Sequence, residues 1–300
     1  MEKINGGLSN EVFKFNNLIF KLYNYSLLEL NYEFEEFIQT KLYHKYHNVP
    51  EIAQSIRVDG KLIGRVEKYI NSSNVSKEHF TTHFPTYAKL LNNIHSIDVS
   101  EKEFQKGKIP NFFIYINNWM CLLDEHIKSN TMNIIQLVPE YYNIKEKAEK
   151  YVYGLVEFAT FMQMEMKLCH NDFQQLNILV DASNKFYVID FEYASLNYIY
   201  YDIANYFAEC ALDNTQLKYN IKLYPSKEKR LDFYKEYFNN EYPNEYYEEF
   251  DFLVSQFCPL VEFTWFVWTI LKYISTKSSD YLTYGKIRLD NFIKLIESSS

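Results

Sequence analysis

The chain opens with short apolar runs separated by turn residues and changes to helical spacing from Lys77 onward. Val12-Phe13-Lys14-Phe15 and Leu18-Ile19-Phe20-Lys21-Leu22 flank Asn16-Asn17. Adjacent asparagines tolerate positive φ, so this stretch predicts a β-hairpin. Tyr32 to Tyr46 carries Phe34, Phe37, Ile38, Leu42 and Tyr46 at helical spacing. Two more strands are expected at Ile52–Val58 and Leu62–Tyr69, turned by Asp59-Gly60, and Asn71-Ser72-Ser73-Asn74 reads as a connector. Beyond it, Ala148 to Met166 predicts an amphipathic helix, and Asn239 to Asp251 a solvated helix or loop. One hairpin interrupts the helical half: Asn177–Val180 and Phe186–Ile189 are β-forming runs around the turn residues 181–185. No internal repeat is visible.

That second hairpin is flanked by chemistry. His170-Asn171-Asp172-Phe173-Gln174-Gln175-Leu176-Asn177 leads into it and Ile189-Asp190-Phe191-Glu192 leads out. Phosphoryl transfer needs a carboxylate near the attacking hydroxyl and oxygen ligands for magnesium. Asp172 fits the first need. Asn177 and Asp190, brought together by the hairpin bases, fit the second. A polar turn with Asp and Asn capping neighbours would also explain an isolated pair, but the His, the hairpin and the second Asp in order favour chemistry. His-x-Asp-x-x-x-x-Asn followed by Asp-Phe is the order used by protein-kinase-like enzymes. In that arrangement the Gly6-Gly7-Leu8-Ser9-Asn10 turn lies over nucleotide phosphates, and Lys21 is the phosphate-binding cation, paired with Glu33 or Glu36. The expected fold is α+β and bilobal: a β-rich ATP-binding lobe over residues 1–70 and a helical lobe over 71–300 with the catalytic loop.

Composition narrows the partners. A hydrophobic content of 47% suffices for a core, and a net charge of −8, from 31 basic and 39 acidic residues, argues against nucleic acid. Cys121, Cys169, Cys210 and Cys258 lie far apart, without the spacing of a zinc site, and read as reduced cytosolic thiols. The N-terminus shows no apolar signal core, so a cytoplasmic protein is expected. Phe257 to Ile274 is long enough to span a membrane, yet its Pro259, Glu262, Lys272 and aromatic residues suit a buried helix better, and no membrane insertion is expected.

Several segments resemble choline/ethanolamine kinases. They are the Gly6–Asn10 turn, Gly64-Arg65-Val66-Glu67-Lys68-Tyr69-Ile70, His170-Asn171-Asp172, Asp190-Phe191-Glu192-Tyr193-Ala194, Asp202-Ile203-Ala204-Asn205, Trp265-Phe266-Val267-Trp268 and Tyr281-Leu282-Thr283-Tyr284. The resemblance implies ATP- and magnesium-dependent phosphorylation of the hydroxyl of choline, with ethanolamine as the alternative acceptor. It implies Asp172 as base, with Gln174 and Asn177 organising hydroxyl and metal. Asp190 would be the principal magnesium ligand, with Glu192 in support. Ser9, Asn10 and Lys21 would face the ATP phosphates, with the adenine near Glu67, Tyr69 and Ile70. Tyr193, Glu209, Trp265, Trp268 and Tyr284 would surround the amine, because a quaternary ammonium has no hydrogen to donate and is held by ring faces and charge. Cys210 and Asn214 stand where many choline kinases carry aromatic residues. An aminoglycoside-type kinase and a silent kinase-fold binding module are the competing readings; the oligomeric state is left open, a homodimer included.

Overall fold

The computed structural model describes residues 2–4, 10–24, 30–99, 111–129, 138–213 and 218–298. Ser9 and Asn214 lie outside them. Five antiparallel strands form the first sheet: β1 (Glu2–Ile4), β2 (Asn10–Phe15), β3 (Leu18–Tyr23), β4 (Ile52–Val58) and β5 (Lys61–Lys68), in the order β1-β2-β3-β5-β4. The hairpin turns use left-handed backbone at Asn16 (φ 51°), Asp59 (φ 50°) and Gly60 (φ 79°), where such residues cost least. Between β3 and β4 runs α1 (Tyr32–Tyr46), capped by the Asn31 side chain accepting from the Phe34 N–H.

The polar run after residue 70 is more than a connector. Ser72–Asn74 forms β6, which pairs antiparallel with β8 (Ile178–Asp181), itself paired with β9 (Phe186–Val188). The helix expected from Ala148 to Met166 is α5 (Tyr141–Phe161), shifted toward the N-terminus, because Met166 opens strand β7 (Met166–Cys169). β7 pairs with β10 (Ser195–Tyr198), which runs directly into α6 (Ile199–Ala211). Between β6 and α5 lie α2 (Lys77–Thr82), α3 (Phe84–His95) and α4 (Asn111–Lys128). Four helices complete the chain: α7 (Lys227–Tyr237), α8 (Asn244–Ser255), α9 (Cys258–Thr276) and α10 (Ser279–Ser298).

The core lies where α6 and α9 meet. Every residue from Tyr201 to Ala211 is buried, as is nearly all of α9. The stretch Asn244–Thr276 has the length and hydropathy of a membrane span, but 83% of its apolar window is buried inside the fold. The expected solvated segment 239–251 packs as well: Tyr247, Phe250 and Asp251 on α8 are buried, with Asp251 accepting from Arg230 at 2.7 Å and from the Tyr234 hydroxyl at 2.8 Å.

Candidate active site

The segment leaving β7 is fixed before it reaches Asp172. Asp202, in the first turn of α6 and fully buried, accepts the backbone N–H of His170 at 2.7 Å and of Asn171 at 2.9 Å. His95 on α3 meets the same carboxylate through Nε2 at 3.0 Å and touches the Tyr237 hydroxyl through Nδ1 at 2.7 Å. Asn171 adopts φ 65°, a conformation asparagine tolerates. Its Nδ2 donates to the Tyr193 carbonyl at 2.8 Å and to Ser195 Oγ at 2.9 Å, and its Oδ1 accepts from Asn197 at 2.8 Å. His170 Nδ1 accepts the Asp172 N–H at 3.3 Å and Nε2 donates to the Ile189 carbonyl at 3.1 Å, tying the 170–177 loop to the base of the hairpin. Burial holds the His170 imidazole below its ordinary value, in the neutral form this pattern requires. His95, Cys169 and Asp202 bring candidate metal-ligating atoms within 4.8 Å of one another. Asp202 spends its oxygens on backbone N–H groups, however, and burial pushes the Cys169 thiol up, so this cluster is a scaffold.

Asp172 projects from that anchored loop. Asn177 Nδ2 donates to its Oδ2 and to its carbonyl, both at 2.9 Å, and Gln174 Nε2 lies 3.3 Å from Oδ2. Burial pushes the carboxyl well above its ordinary range, and the nearby Glu209 and Asp190 charges add to the effect. A carboxylate so placed holds a proton more readily than an exposed aspartate, which suits a base toward a hydroxyl. Asn177 uses its amide nitrogen on Asp172, so its Oδ1 is the atom of that side chain that could hold a cation. Asp190 follows the hairpin at φ 66°.

Lys21 reaches Asp190 from the other side. Its ammonium on β3 donates to Asp190 Oδ1 at 2.7 Å and to Glu35 Oε1 at 2.8 Å. The acid paired with it is therefore Glu35, not Glu33 or Glu36. Helix phase decides this: Glu33 points to solvent and forks onto Arg57, whereas Glu36 accepts from Tyr23 and Ser55 on the sheet. Burial alone would lower the Lys21 ammonium, but Asp190 and Glu35 hold it well above its ordinary value. Arg65, 1% exposed on β5, completes the network by donating to Glu35 at 2.9 Å, Gln39 at 2.9 Å and Glu67 at 2.6 Å. The Glu67 carboxylate thus faces Arg65 and Gln39, and the Tyr69 ring carries Lys14 Nζ 3.5 Å from its centroid. Asn10 on β2 crosses the sequence to donate to Glu192 Oε2 at 3.1 Å.

The tryptophans of α9 stand beside this centre. Trp265 Nε1 donates to Asn205 Oδ1 at 2.7 Å, and Asn205 Nδ2 in turn reaches the Phe173 carbonyl of the catalytic loop at 3.4 Å. Trp268 Nε1 donates to the Tyr193 hydroxyl at 2.8 Å. Edge contacts join Tyr193 to Trp265 at 5.9 Å, Trp265 to Trp268 at 5.7 Å, and Tyr193 to Trp119 on α4 at 5.7 Å. Trp119 was not anticipated from sequence, because it sits in an ordinary apolar helix pattern. Glu209 and Tyr284 converge on Arg288 of α10, a fully buried guanidinium that pairs with Glu209, lies 2.7 Å from the Tyr284 hydroxyl and 3.3 Å from Glu262.

A family model described as choline/ethanolamine kinase matches residues 1–293. A probable choline kinase of Arabidopsis thaliana is 33% identical over 147 residues, which are 46% of this chain and 42% of that protein. The matched stretch is thus less than half of that relative's length. A probable ethanolamine kinase of Dictyostelium discoideum is 25% identical over 327 positions, covering 97% of this chain and 84% of its own. Among solved structures, an ethanolamine kinase from Plasmodium vivax superposes with a TM-score of 0.81 over 99% of this chain and 83% of its own, at 23% identity, and shares the bilobal protein-kinase-like fold. With the family pattern running through nearly its whole length, this chain belongs to the choline/ethanolamine kinase family.

Proposed function

We propose that this protein transfers the γ-phosphoryl group of ATP to the hydroxyl of choline, with ethanolamine as the second candidate acceptor. The observation that carries the reading is Asp172: a buried carboxylate of raised proton affinity, oriented by Asn177 and Gln174 on a loop that Asp202 clamps. In this reading Asp172 accepts the hydroxyl proton as the oxygen attacks phosphorus. Asn177 and Gln174 keep the carboxylate oriented toward that oxygen.

The residues fit a magnesium ion. Asp190, Asn177 Oδ1 and Glu192 are hard oxygen donors at the two bases of one hairpin, the ligand type this cation takes. When bound, magnesium neutralises phosphate charge. Lys21 and Asn10 face the phosphates, as the resemblance implies for Ser9 too; Tyr69, Ile70 and the backbone after Glu67 border the adenine. The lobe boundary at residue 70 belongs to the same proposal, in keeping with a first sheet that ends at Lys68. The four unpaired thiols are in keeping with a reducing, cytoplasmic setting.

Choline is favoured over ethanolamine by the state of the acids. A protonated primary amine wants a hydrogen-bond acceptor, but Glu209 is already held by Arg288, whereas Tyr193, Trp265 and Trp268 offer rings. Purified protein with ATP and magnesium should phosphorylate choline with a higher kcat/KM than ethanolamine, and aminoglycosides not measurably. The reverse order for the two amino alcohols would move the assignment to ethanolamine.

A further inference from the structure

The pocket contains a cation of its own. Lys272, one helical turn beyond Trp268 on α9, places Nζ over the Trp268 ring, 5.3 Å from its centroid. Lys272 is half-buried, and it feels the carboxylates of Glu192 and Asp190 strongly enough to offset part of the burial that lowers its ammonium. Trp268 is in turn fastened to Tyr193, the residue after Glu192, and Glu192 is fastened to Asn10. The chain's own primary ammonium therefore shares the Trp268 ring that the reading above gives to the amine of the substrate.

We infer that Lys272 is a specificity-determining residue, whose ammonium claims one face of Trp268 and so narrows, without reversing, the preference for a quaternary amine that the remaining rings supply. The inference rests on the proposed amino-alcohol pocket. A quaternary ammonium has no hydrogen bonds to fall back on and is held by ring faces and charge, so a like charge on one ring removes a large share of what binds it. A primary ammonium keeps its hydrogen bonds and loses less.

Two measurements on Lys272→Gln test this. Quenching of tryptophan fluorescence by tetramethylammonium should report binding about 3- to 30-fold tighter than in the parent protein, the range expected for one ring contact freed from a like charge. The KM for choline should fall by a similar factor, that for ethanolamine by less, and that for ATP should stay unchanged. Lys272→Arg, which keeps the charge, should stay near the parent, and Lys272→Met, which keeps the buried stem, replaces the glutamine variant should that one not fold. Equal tetramethylammonium binding in parent and neutral variants overturns the inference, as does a rise confined to the KM for ATP, which would place Lys272 at the phosphates. Failure of the parent to phosphorylate either amino alcohol is a different result: it overturns the proposed function, while the binding titration still decides the role of Lys272.

Discussion

Asp202→Asn tests whether the catalytic loop is held as the structure indicates. Asp202 is fully buried and accepts two backbone N–H groups, at 2.7 and 2.9 Å, while also meeting His95 at 3.0 Å. An amide keeps the shape but has one acceptor oxygen, so at least one of those donors faces an N–H instead. Leaving a buried donor unmet costs about 1–3 kcal/mol, and the surviving bonds drop from charged to neutral strength, giving a total of about 3–5 kcal/mol. For a chain of 300 residues the melting temperature should fall by about 5–8 °C. Turnover should fall more than stability alone explains. The bonds lost fix His170 and Asn171, immediately before Asp172, and a displacement of about 1 Å at a reacting group can cost on the order of 100-fold. Thermal melts and steady-state kinetics at a temperature where the variant is folded read the two effects separately. A variant that melts and turns over like the parent refutes the clamp; one that is destabilised yet keeps full kcat shows Asp202 to be structural only.

Asp172→Asn should lower kcat by about 10²–10⁴-fold, the range for a lost general base, while leaving nucleotide affinity nearly intact. The same variant should be more stable than the parent at neutral pH. A carboxyl raised by burial keeps its proton in the folded state after the unfolded chain has lost it, so the parent loses stability as pH climbs above the ordinary aspartate value of 3.8. Melting curves of both proteins should converge in acid and separate as pH rises; parallel curves would contradict the burial argument. Asp190→Asn should weaken magnesium-dependent nucleotide binding, measured by titration calorimetry, more than Asn177→Ala does, since it replaces an anionic ligand by a neutral one. Trp265→Phe leaves Asn205 Oδ1 without its indole donor, so it should lower the melting temperature, and in a pocket role it should also raise the KM for choline while sparing that for ATP. A choline KM that does not move would return Trp265 to the core.

Local sequence determined what depends on local physics. The strand pairs around Asn16 and Asp59-Gly60, the helix at Tyr32–Tyr46 and the second hairpin follow from spacing and from residues that accept positive φ. The order Asp172, Asn177, Asp190 was legible for the same reason, since a hairpin links the three in a short stretch of chain. What lies far apart in sequence was decided only in three dimensions. The partner of Lys21 turned on helix phase: a one-residue step rotates a side chain by about 100°, enough to separate Glu35 from Glu33 and Glu36. Asp202 is one acid in an apolar helix until α6 is laid beneath the 170–177 loop, and Arg65 is an ordinary strand cation until burial forces four partners upon it. Glu209, Lys272 and Arg288 carry no local pattern at all. Their meaning comes from burial, because a charge removed from water must find a counter-charge or a ring, and which one it finds is set by how α6, α9 and α10 pack.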